Sequence, residues 1–406
     1  MKRIVLVAGA AVLFASGASA GAGEAIRPDP GMGVAEVVDA AMEREPMGQA
    51  LAAERLHAEA MDRRAGSYLN ETPSVGLSHQ NDTMGSDTGF REWEGSVELP
   101  LRRSGLRQAA KQQAETAGAL AERRGASLRL AVAGRVREVL WRLAEAREQV
   151  AIAEKELTTA RELEAKIETR LSHGDVPRTD LLLAREETLQ READVDRARL
   201  ELGQARAAYR RLTGLDRRPA ELAEPRAAEA SLQDHPDLAA ARAAMDKARA
   251  GQSMVREQGR AQPTVGLNLR SEDDGVDSVE SLGVSVSIPV NLKSLRAPDM
   301  ARAGMELAKA QADYQTRQRE IRLAVEQAAQ AVASARALTK RADRRLEIAR
   351  ENLRIAEKAY SLGETSLMDL LRVRSRSFNA ERHAAMSRIE LHRAVARYNQ
   401  AMGVTP

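Results

Sequence analysis

Apolar residues recur in alternating steps of four and three along the stretch from Val132 to Leu171. The positions are Val132, Val136, Val139, Leu143, Ala146, Val150, Ala153, Leu157, Ala160, Glu164, Ile167 and Leu171, with Glu164 as the polar member of the series. This spacing is typical of a helix packed as in a left-handed coiled coil. The same stripe returns 189 residues later, between Ile321 and Tyr360. The sequence therefore predicts two long helices of the same design.

The duplication extends beyond these two helices. Matched positions keep an offset of 189 or 190 residues, and they include Pro73 and Pro263, Gly174 and Gly363, Asp180 and Asp369, and Gly214 and Gly403. An internal match of this length predicts two structurally equivalent repeats, residues 21–217 and residues 218–406.

Each repeat also contains segments in which apolar and polar residues alternate. Leu282, Val284 and Val286, for example, alternate with small or polar residues, which is the period of a strand with one apolar face. We therefore predict a helix, a strand pair, a long helix and a return helix in each repeat. The strand pairs span about residues 73–101 and 263–292, the long helices about 106–171 and 295–362, and the return helices about 180–213 and 369–402. At about 1.5 Å per residue, each long helix would be on the order of 100 Å long.

Four strands with one apolar face cannot close a barrel within one chain. Their open edges would leave unpaired backbone groups, which a bilayer does not tolerate. Strands of about ten residues with alternating faces are typical of membrane barrels, so we expect several chains to share one barrel, continued by the long helices as a tube. Two alternatives stay open: a small soluble sheet under the helices, favoured by the scarcity of aromatic residues near the strands, and a dimeric coiled-coil rod.

Composition and the N-terminus agree with an exported protein built mainly from helices. The chain is 30% charged and 2% aromatic, and it contains no Cys. Residues 1–20 have the form of a signal peptide, with Lys2 and Arg3 before an apolar run and an Ala18-Ser19-Ala20 cleavage site. The formal charge of +3 falls to +1 without those two cations, so we expect no nucleic-acid partner.

No catalytic or metal-binding motif is found in the sequence. It has no Cys nucleophile, no Gly-rich phosphate loop and no HExxH motif, and its six His residues lack the spacing of metal ligands. We therefore predict a protein that is not an enzyme and needs no cofactor.

Several motifs resemble those of the TolC-like outer-membrane efflux channel family. They are Val97–Leu101 and Ser287–Val290 before the long helices, the turns His173–Leu182 and Leu362–Leu371, and the closing motifs Tyr209–Gly214 and Tyr398–Gly403. The resemblance covers nearly the whole mature chain and is greatest to members that serve cobalt–zinc–cadmium-type heavy-metal exporters. It implies a mainly helical fold with membrane β-strands: a homotrimer whose coiled-coil α-helical barrel continues into a twelve-strand barrel in the outer-membrane lipid. It also implies a large periplasmic part, a periplasmic adaptor (membrane fusion protein) and an inner-membrane pump of the resistance-nodulation-division or similar type.

The resemblance also implies roles for residues at the periplasmic tip. Asp369, with Arg372 three residues later, matches a position that lines the tunnel entrance, and Asp180 is its repeat mate. Asp369 could equally serve in a helix cap with Ser366, and the two interpretations stay open. The candidate adaptor contacts are Gly174, Val176, Leu362 and Gly363.

The predicted function is that of a passive outer-membrane duct in a tripartite efflux system, exporting small solutes or heavy-metal cations. The alternatives are the exit duct of a type I protein secretion system, and a periplasmic adaptor or structural coiled coil. An adaptor would lack a full duplication with a strand pair in each half.

Overall fold

A computed structural model describes residues 25–85, 89–228, 231–290 and 293–406. The predicted signal peptide, residues 1–20, lies outside this range. In the described part of the chain, none of the helices combines the length and apolar character needed to cross a bilayer.

The chain forms long helices and two strand pairs in the order that the repeats predict. The helices are α1 (Val34–Glu43), α2 (Met47–Ala65), α3 (Ser104–Ser172), α4 (Arg178–Thr213), α5 (Pro236–Gln258), α6 (Lys293–Ser361) and α7 (Leu367–Ala401). The strands are β1 (Arg27–Asp29), β2 (Ser74–Asn81), β3 (Arg91–Pro100), β4 (Arg217–Pro219), β5 (Thr264–Asp273) and β6 (Ser278–Ser287). Helices α3 and α6 have 69 residues each, which corresponds to about 100 Å.

The start of the first repeat differs from the single helix that the pattern suggested. Helix α1 ends before Arg44, and α2 begins after Pro46. A proline disfavours helical geometry in the residue before it, so the chain is interrupted there. The sequence also did not indicate the short parallel pairing of β1 with β4, which joins the N-terminal segment to the boundary between the repeats.

The two repeats place equivalent helical hairpins side by side. Hairpin 1 is formed by α3 and α4, and hairpin 2 by α6 and α7. Helix α3 packs against α2, α4, α5 and α7, whereas the main packing partners of α6 within the described residues are α5 and α7. The lateral order is therefore α4–α3–α7–α6 along the hairpins and α2–α3–α5–α6 nearer the sheet. Helix α6 lies on one flank of the chain, and α2 and α4 lie on the other.

The sheet follows the same lateral order, β2–β3–β5–β6, with antiparallel neighbours throughout. Its register aligns one apolar row across all four strands: Val75, Val97, Leu267 and Val284. Because side chains alternate between faces, this row marks the apolar face. The edges of the sheet, β2 and β6, lie on the same flanks as α2 and α6.

Candidate channel wall and tip

The apolar face of the sheet is exposed in the single chain. Val75 on β2 is 81% exposed and Leu282 on β6 is 76% exposed. Near the outer end of the same face, the rings of His79 and Trp93 stack with centroids 4.2 Å apart. An exposed apolar band with an amphipathic aromatic residue near its rim is what a lipid-facing strand surface requires.

The opposite face of the sheet is polar and acidic. The strand register places four glutamates and one arginine on this face: Glu92, Glu94, Glu98, Glu272 and Arg270. The Arg270 guanidinium pairs with Glu92 at 2.8 Å, and the Asn268 amide donates to Glu94 at 3.2 Å. The remaining carboxylates leave this face with net negative charge.

At the far end of the hairpins, both tip turns share one geometry. Gly174 has φ +81° and Gly363 has φ +76°, a conformation that residues with a Cβ adopt at a cost. The next N–H in each turn reaches back to the helix end: Asp175 donates to the Arg170 carbonyl and Glu364 to the Ala359 carbonyl, both at 2.9 Å. These are Schellman-type helix ends, and they allow each helix to reverse within a few residues.

Asp369 takes part in a helix cap at the start of α7. The Ser366 hydroxyl accepts from the Asp369 N–H at 3.1 Å and donates to its carboxylate at 2.7 Å. The other carboxylate oxygen accepts from Arg372 at 3.4 Å. Both side chains of the Asp369–Arg372 pair are more than half exposed, so Ser366 caps the helix, and the Asp369 carboxylate bonded to it remains accessible to solvent.

Asp180 has a different environment from its repeat mate. Pro177 is the N-cap of α4 and offers no side-chain acceptor, so Asp180 lacks the serine partner that Asp369 has. Asp180 lies close enough to hairpin 2 to influence Tyr360 on α6. Burial raises the pKa of the Tyr360 hydroxyl, and the Asp180 carboxylate adds to this shift while the Arg170 guanidinium opposes it.

The four candidate adaptor contacts differ in exposure. Gly174 and Gly363 are exposed, and Leu362 is 63% exposed. Val176 is partly buried against the apolar cluster that joins the two hairpins near the tip, so it anchors the turn to the hairpins by packing. Met368, which sequence reasoning missed, is exposed beside this set. The sequence signal for Met368 was that two apolar residues, Leu367 and Met368, are adjacent at the start of a helix. Because Leu367 is buried, Met368 must face outward.

A buried carboxylate joins the two hairpins at one point between the sheet and the tip. Glu156 on α3 is 1% exposed. Its oxygens accept from Arg382 on α7 at 3.0 Å and from Arg191 on α4 at 3.0 Å. Further ion pairs connect α7 to the part of α3 that precedes Glu156, including Lys155 with Glu381 at 2.5 Å.

A second buried polar cluster ties the segment between the repeats to α3. Arg137 is 4% exposed, and its Nε and Nη2 donate to the Glu224 carboxylate at 2.8 and 2.6 Å. Its Nη1 donates to Gln400 on α7 at 2.7 Å. The long helix, the connecting segment and the end of α7 therefore form one unit.

His235 is the N-cap residue of α5 and lies in space beside the C-terminal residues Ala401 and Gly403. Its Nδ1 accepts from the Asp237 N–H at 3.2 Å. Burial lowers the pKa of the ring, assisted by the charge of Arg317, whereas the Asp237 carboxylate and a hydrogen bond with the Ala401 backbone act in the opposite direction. The neutral form of the imidazole therefore fits this site.

The described residues contain no group of three or more His, Cys, Asp or Glu side chains arranged to hold a metal ion. Residues 227–404 match the model of the family described as Outer membrane efflux protein. No curated protein matches the sequence significantly.

Solved channel structures share the fold over most of the chain. CusC, described in terms of folding and transmembrane channel formation, is 15% identical with a TM-score of 0.75, covering 91% of this chain and 92% of CusC. The CmeC outer membrane channel of Campylobacter jejuni is 15% identical with a TM-score of 0.72, covering 91% and 85%. The outer membrane protein VceC from Vibrio cholerae is 15% identical with a TM-score of 0.72, covering 91% and 96%.

These likenesses confirm the predicted fold class of long coiled-coil helices continued by membrane β-strands, while the closure of a barrel by three chains stays a prediction. The matching family model describes outer-membrane efflux proteins, so a role in efflux rather than in catalysis is a property of the proteins that this chain resembles. Residues 227–404 are therefore similar to the outer membrane efflux proteins, and about nine-tenths of the chain shares the fold of solved outer-membrane channels.

Proposed function

We propose that the protein is the outer-membrane duct of a tripartite efflux system and that three copies close one barrel. The observation that carries this proposal is that the sheet and the helical layer both have two open lateral edges, one on each flank of the chain. Strand β6 and helix α6 end one flank, and β2 with α2 and α4 end the other. One rotation about a common axis brings both layers of one copy against both layers of the next, which removes every open sheet edge.

Engineered cysteines test this closure cleanly, because the natural chain has no Cys. Ser78→Cys on edge strand β2 is combined in turn with Cys at Ser281, Ser285 or Ser287 on edge strand β6. Oxidation in the membrane should link three chains in at least one combination, detected as a trimer on a denaturing gel.

The matched control is a pair on the inner strands. Ser96 and Asn268 are register partners on β3 and β5, so the corresponding double Cys variant should cross-link within one chain and run as a monomer. A cysteine-substituted protein that yields no interchain product in any edge combination, and no conductance in a planar bilayer, contradicts the duct.

We further propose that the duct favours cations, with heavy-metal cations as its cargo. The support is the acidic polar face of the strands, which would line the lumen of the closed barrel and attract cations. Glu94→Gln with Glu98→Gln should lower the cation-to-anion permeability ratio of single channels. Glu280→Gln is the control, because Glu280 lies in the row of Trp93 on the outer face. Equal effects of the two changes would argue against a lumen-facing acidic surface.

Asp369 is proposed to face the tunnel entrance in addition to capping α7. Asp369→Ala should then change the cation selectivity, because three carboxylates would be lost from a narrow opening. Ser366→Ala is the control, since it removes the cap acceptor and keeps the carboxylate. Equal selectivity of the Asp369→Ala channel and the natural channel would leave Asp369 with its capping role only.

The tip is proposed to dock a periplasmic adaptor linked to an inner-membrane pump of the resistance-nodulation-division type. Its support is the exposed apolar pair Leu362 and Met368 beside the glycine turns, since exposed apolar residues grouped on one surface favour protein contacts. Leu362→Asp should weaken adaptor capture and leave the conductance unchanged. If the cargo is a polypeptide, as in type I secretion, deletion of this protein should abolish secretion of that polypeptide and leave the resistance of the cell to metals unchanged.

A further inference from the structure

A cavity of about 770 Å³ lies between the two hairpins beside the tip turns. Helix α3 lines it with Lys166 and Arg170, α6 with Glu357 and Tyr360, and α7 with Arg374. The space is in the range that small-molecule sites occupy. Because its walls come from both hairpins, anything bound there contacts both.

Arg374 is the feature of this cavity that points to a ligand. The residue is 9% exposed, and its Nη2 donates to the Glu357 carboxylate at 2.9 Å. Its Nε and Nη1 are buried and have no acceptor among the described residues. Buried charged donors without acceptors are costly, so an acceptor inside the cavity would stabilise the arrangement.

The surrounding groups favour an anion as that acceptor. Lys166 and Arg170 add two cations to the wall, and the Arg170 guanidinium lies over the Tyr360 ring at 5.4 Å from its centroid. Two acids, Glu357 and Asp175, oppose three cations, so the lining is net positive. The Tyr360 hydroxyl is protonated at neutral pH, as tyrosine ordinarily is, and burial raises its pKa further, so this group can donate a hydrogen bond.

We propose that this cavity binds a small oxyanion, either inorganic phosphate or the carboxylate of a small organic acid, between Arg374, Arg170 and Lys166. The planar guanidinium matches both chemistries, since each presents paired oxygens to N–H donors. The site goes beyond the proposed duct and does not depend on it, because every lining residue belongs to one chain. Binding joins α3 of hairpin 1 to α7 of hairpin 2.

Titration calorimetry on the full-length protein in detergent tests the site with two separate probes, inorganic phosphate and succinate. Saturable binding of phosphate alone or succinate alone identifies the source, and binding of both identifies a general oxyanion site. Arg374→Met keeps the aliphatic stem and removes the donors, so it should weaken binding by about tenfold or more. The proposal is overturned if neither probe binds, or if the Arg374→Met protein binds as well as the natural one.

A second variant keeps the test decisive if Arg374→Met does not fold. Glu357 is about half exposed, so Glu357→Gln should be tolerated. It frees the Arg374 Nη2 from a competing carboxylate, and binding should become roughly two- to fivefold tighter.

Asp343→Asn is the matched control for this charge change. Asp343 on α6 pairs with Arg388 on α7 at 2.6 Å, as Glu357 pairs with Arg374, but it does not line the cavity. Its substitution should leave the affinity unchanged. An equal tightening in both variants would show a general effect of net charge and would overturn the assignment.

Discussion

Substitution of Glu156 by glutamine should measure how strongly the two hairpins are held together. Its carboxylate is buried on α3 and accepts from Arg382 on α7 and Arg191 on α4. Glutamine keeps the size of the side chain and one oxygen acceptor, removes the charge that both guanidinium groups face, and replaces the second acceptor oxygen with an NH2 group. The variant therefore isolates the ionic contribution from packing.

The expected magnitude follows from what each arginine keeps. Removing one partner of a fully buried ion pair costs about 3–5 kcal/mol, mainly because a charge is left buried without compensation. Here Arg191 retains Glu187 at 2.8 Å and Asp194 at 3.1 Å, and Arg382 is 42% exposed and can be hydrated. The penalty is thus limited to the lost charge-assisted hydrogen bonds, about 2–3 kcal/mol.

Circular dichroism of the detergent-solubilised protein on heating provides the assay, with Glu154→Gln as the matched control. Glu154 also lies on α3 and pairs with Arg199 on α4 at 2.7 Å, but both side chains are about half exposed, so its loss should cost less than about 1 kcal/mol. The midpoint for Glu156→Gln should lie roughly 1–4 °C below that for Glu154→Gln, because a chain of this size unfolds with an entropy of about 0.8 kcal/mol/K. Equal midpoints would refute the reasoning, and a more stable Glu156→Gln protein would show that burial of the carboxylate costs more than its pairs return.

Two further predictions concern Gly403 and the neighbouring His235 ring. Gly403→Ala should lower the free energy of unfolding by about 2–4 kcal/mol, because Gly403 has φ +78° and a Cβ there would lie 2.8 Å from the His235 ring. The control is Gly174→Ala, which has a similar φ of +81° but open space around it and should cost only about 1–2 kcal/mol. Equal losses of stability in melting experiments would contradict the steric argument. Because the folded-state pKa of His235 lies below its ordinary value, the unfolded chain binds the proton more tightly, so this residue should reduce stability as pH falls below about 6.5. His235→Asn keeps a capping acceptor and should flatten the dependence of the midpoint between pH 7.5 and 5.5; an unchanged slope would show that other groups carry it.

The elements of this fold were readable from the sequence because their periods are long and regular. The heptad stripe predicted α3 and α6, and the period of two predicted the apolar and polar faces of all four strands. Boundaries were less accurate where local chemistry decided them, as at Pro46, which separates α1 from α2.

The buried charges were not readable, for a reason that lies in the packing. The heptad analysis followed a single stripe, whereas α3 packs against helices on both sides and therefore buries a wider arc. Arg137 and Glu156 lie in the second part of that arc, where only the positions of α4 and α7 explain them. Around Asp369, by contrast, the spacing to Ser366 was sufficient to anticipate the cap at the start of α7, although spacing cannot say whether the carboxylate faces a tunnel.

The duplication also predicts contacts between neighbouring copies, if three chains close the duct as proposed. Because α3 corresponds to α6 and α4 to α7, the packing of α3 on α7 within a chain should recur as packing of α6 on α4 of the next copy. The pair Lys155–Glu381 then corresponds, at an offset of 189, to Arg344 and Glu192 of the neighbouring copy.

This interchain pair can be tested by charge exchange. Arg344 is 78% exposed in the single chain, so its reversal should not disturb the monomer. Arg344→Glu should lower the temperature at which the trimer dissociates on a semi-native gel, because it places two carboxylates opposite each other, and Glu192→Arg in the same chain should restore it. Since Glu192 also pairs with Arg161 at 2.7 Å within its own chain, the single Glu192→Arg variant should be the least stable of the three. Failure of the double variant to recover would mean that the contact between copies does not repeat the contact within them.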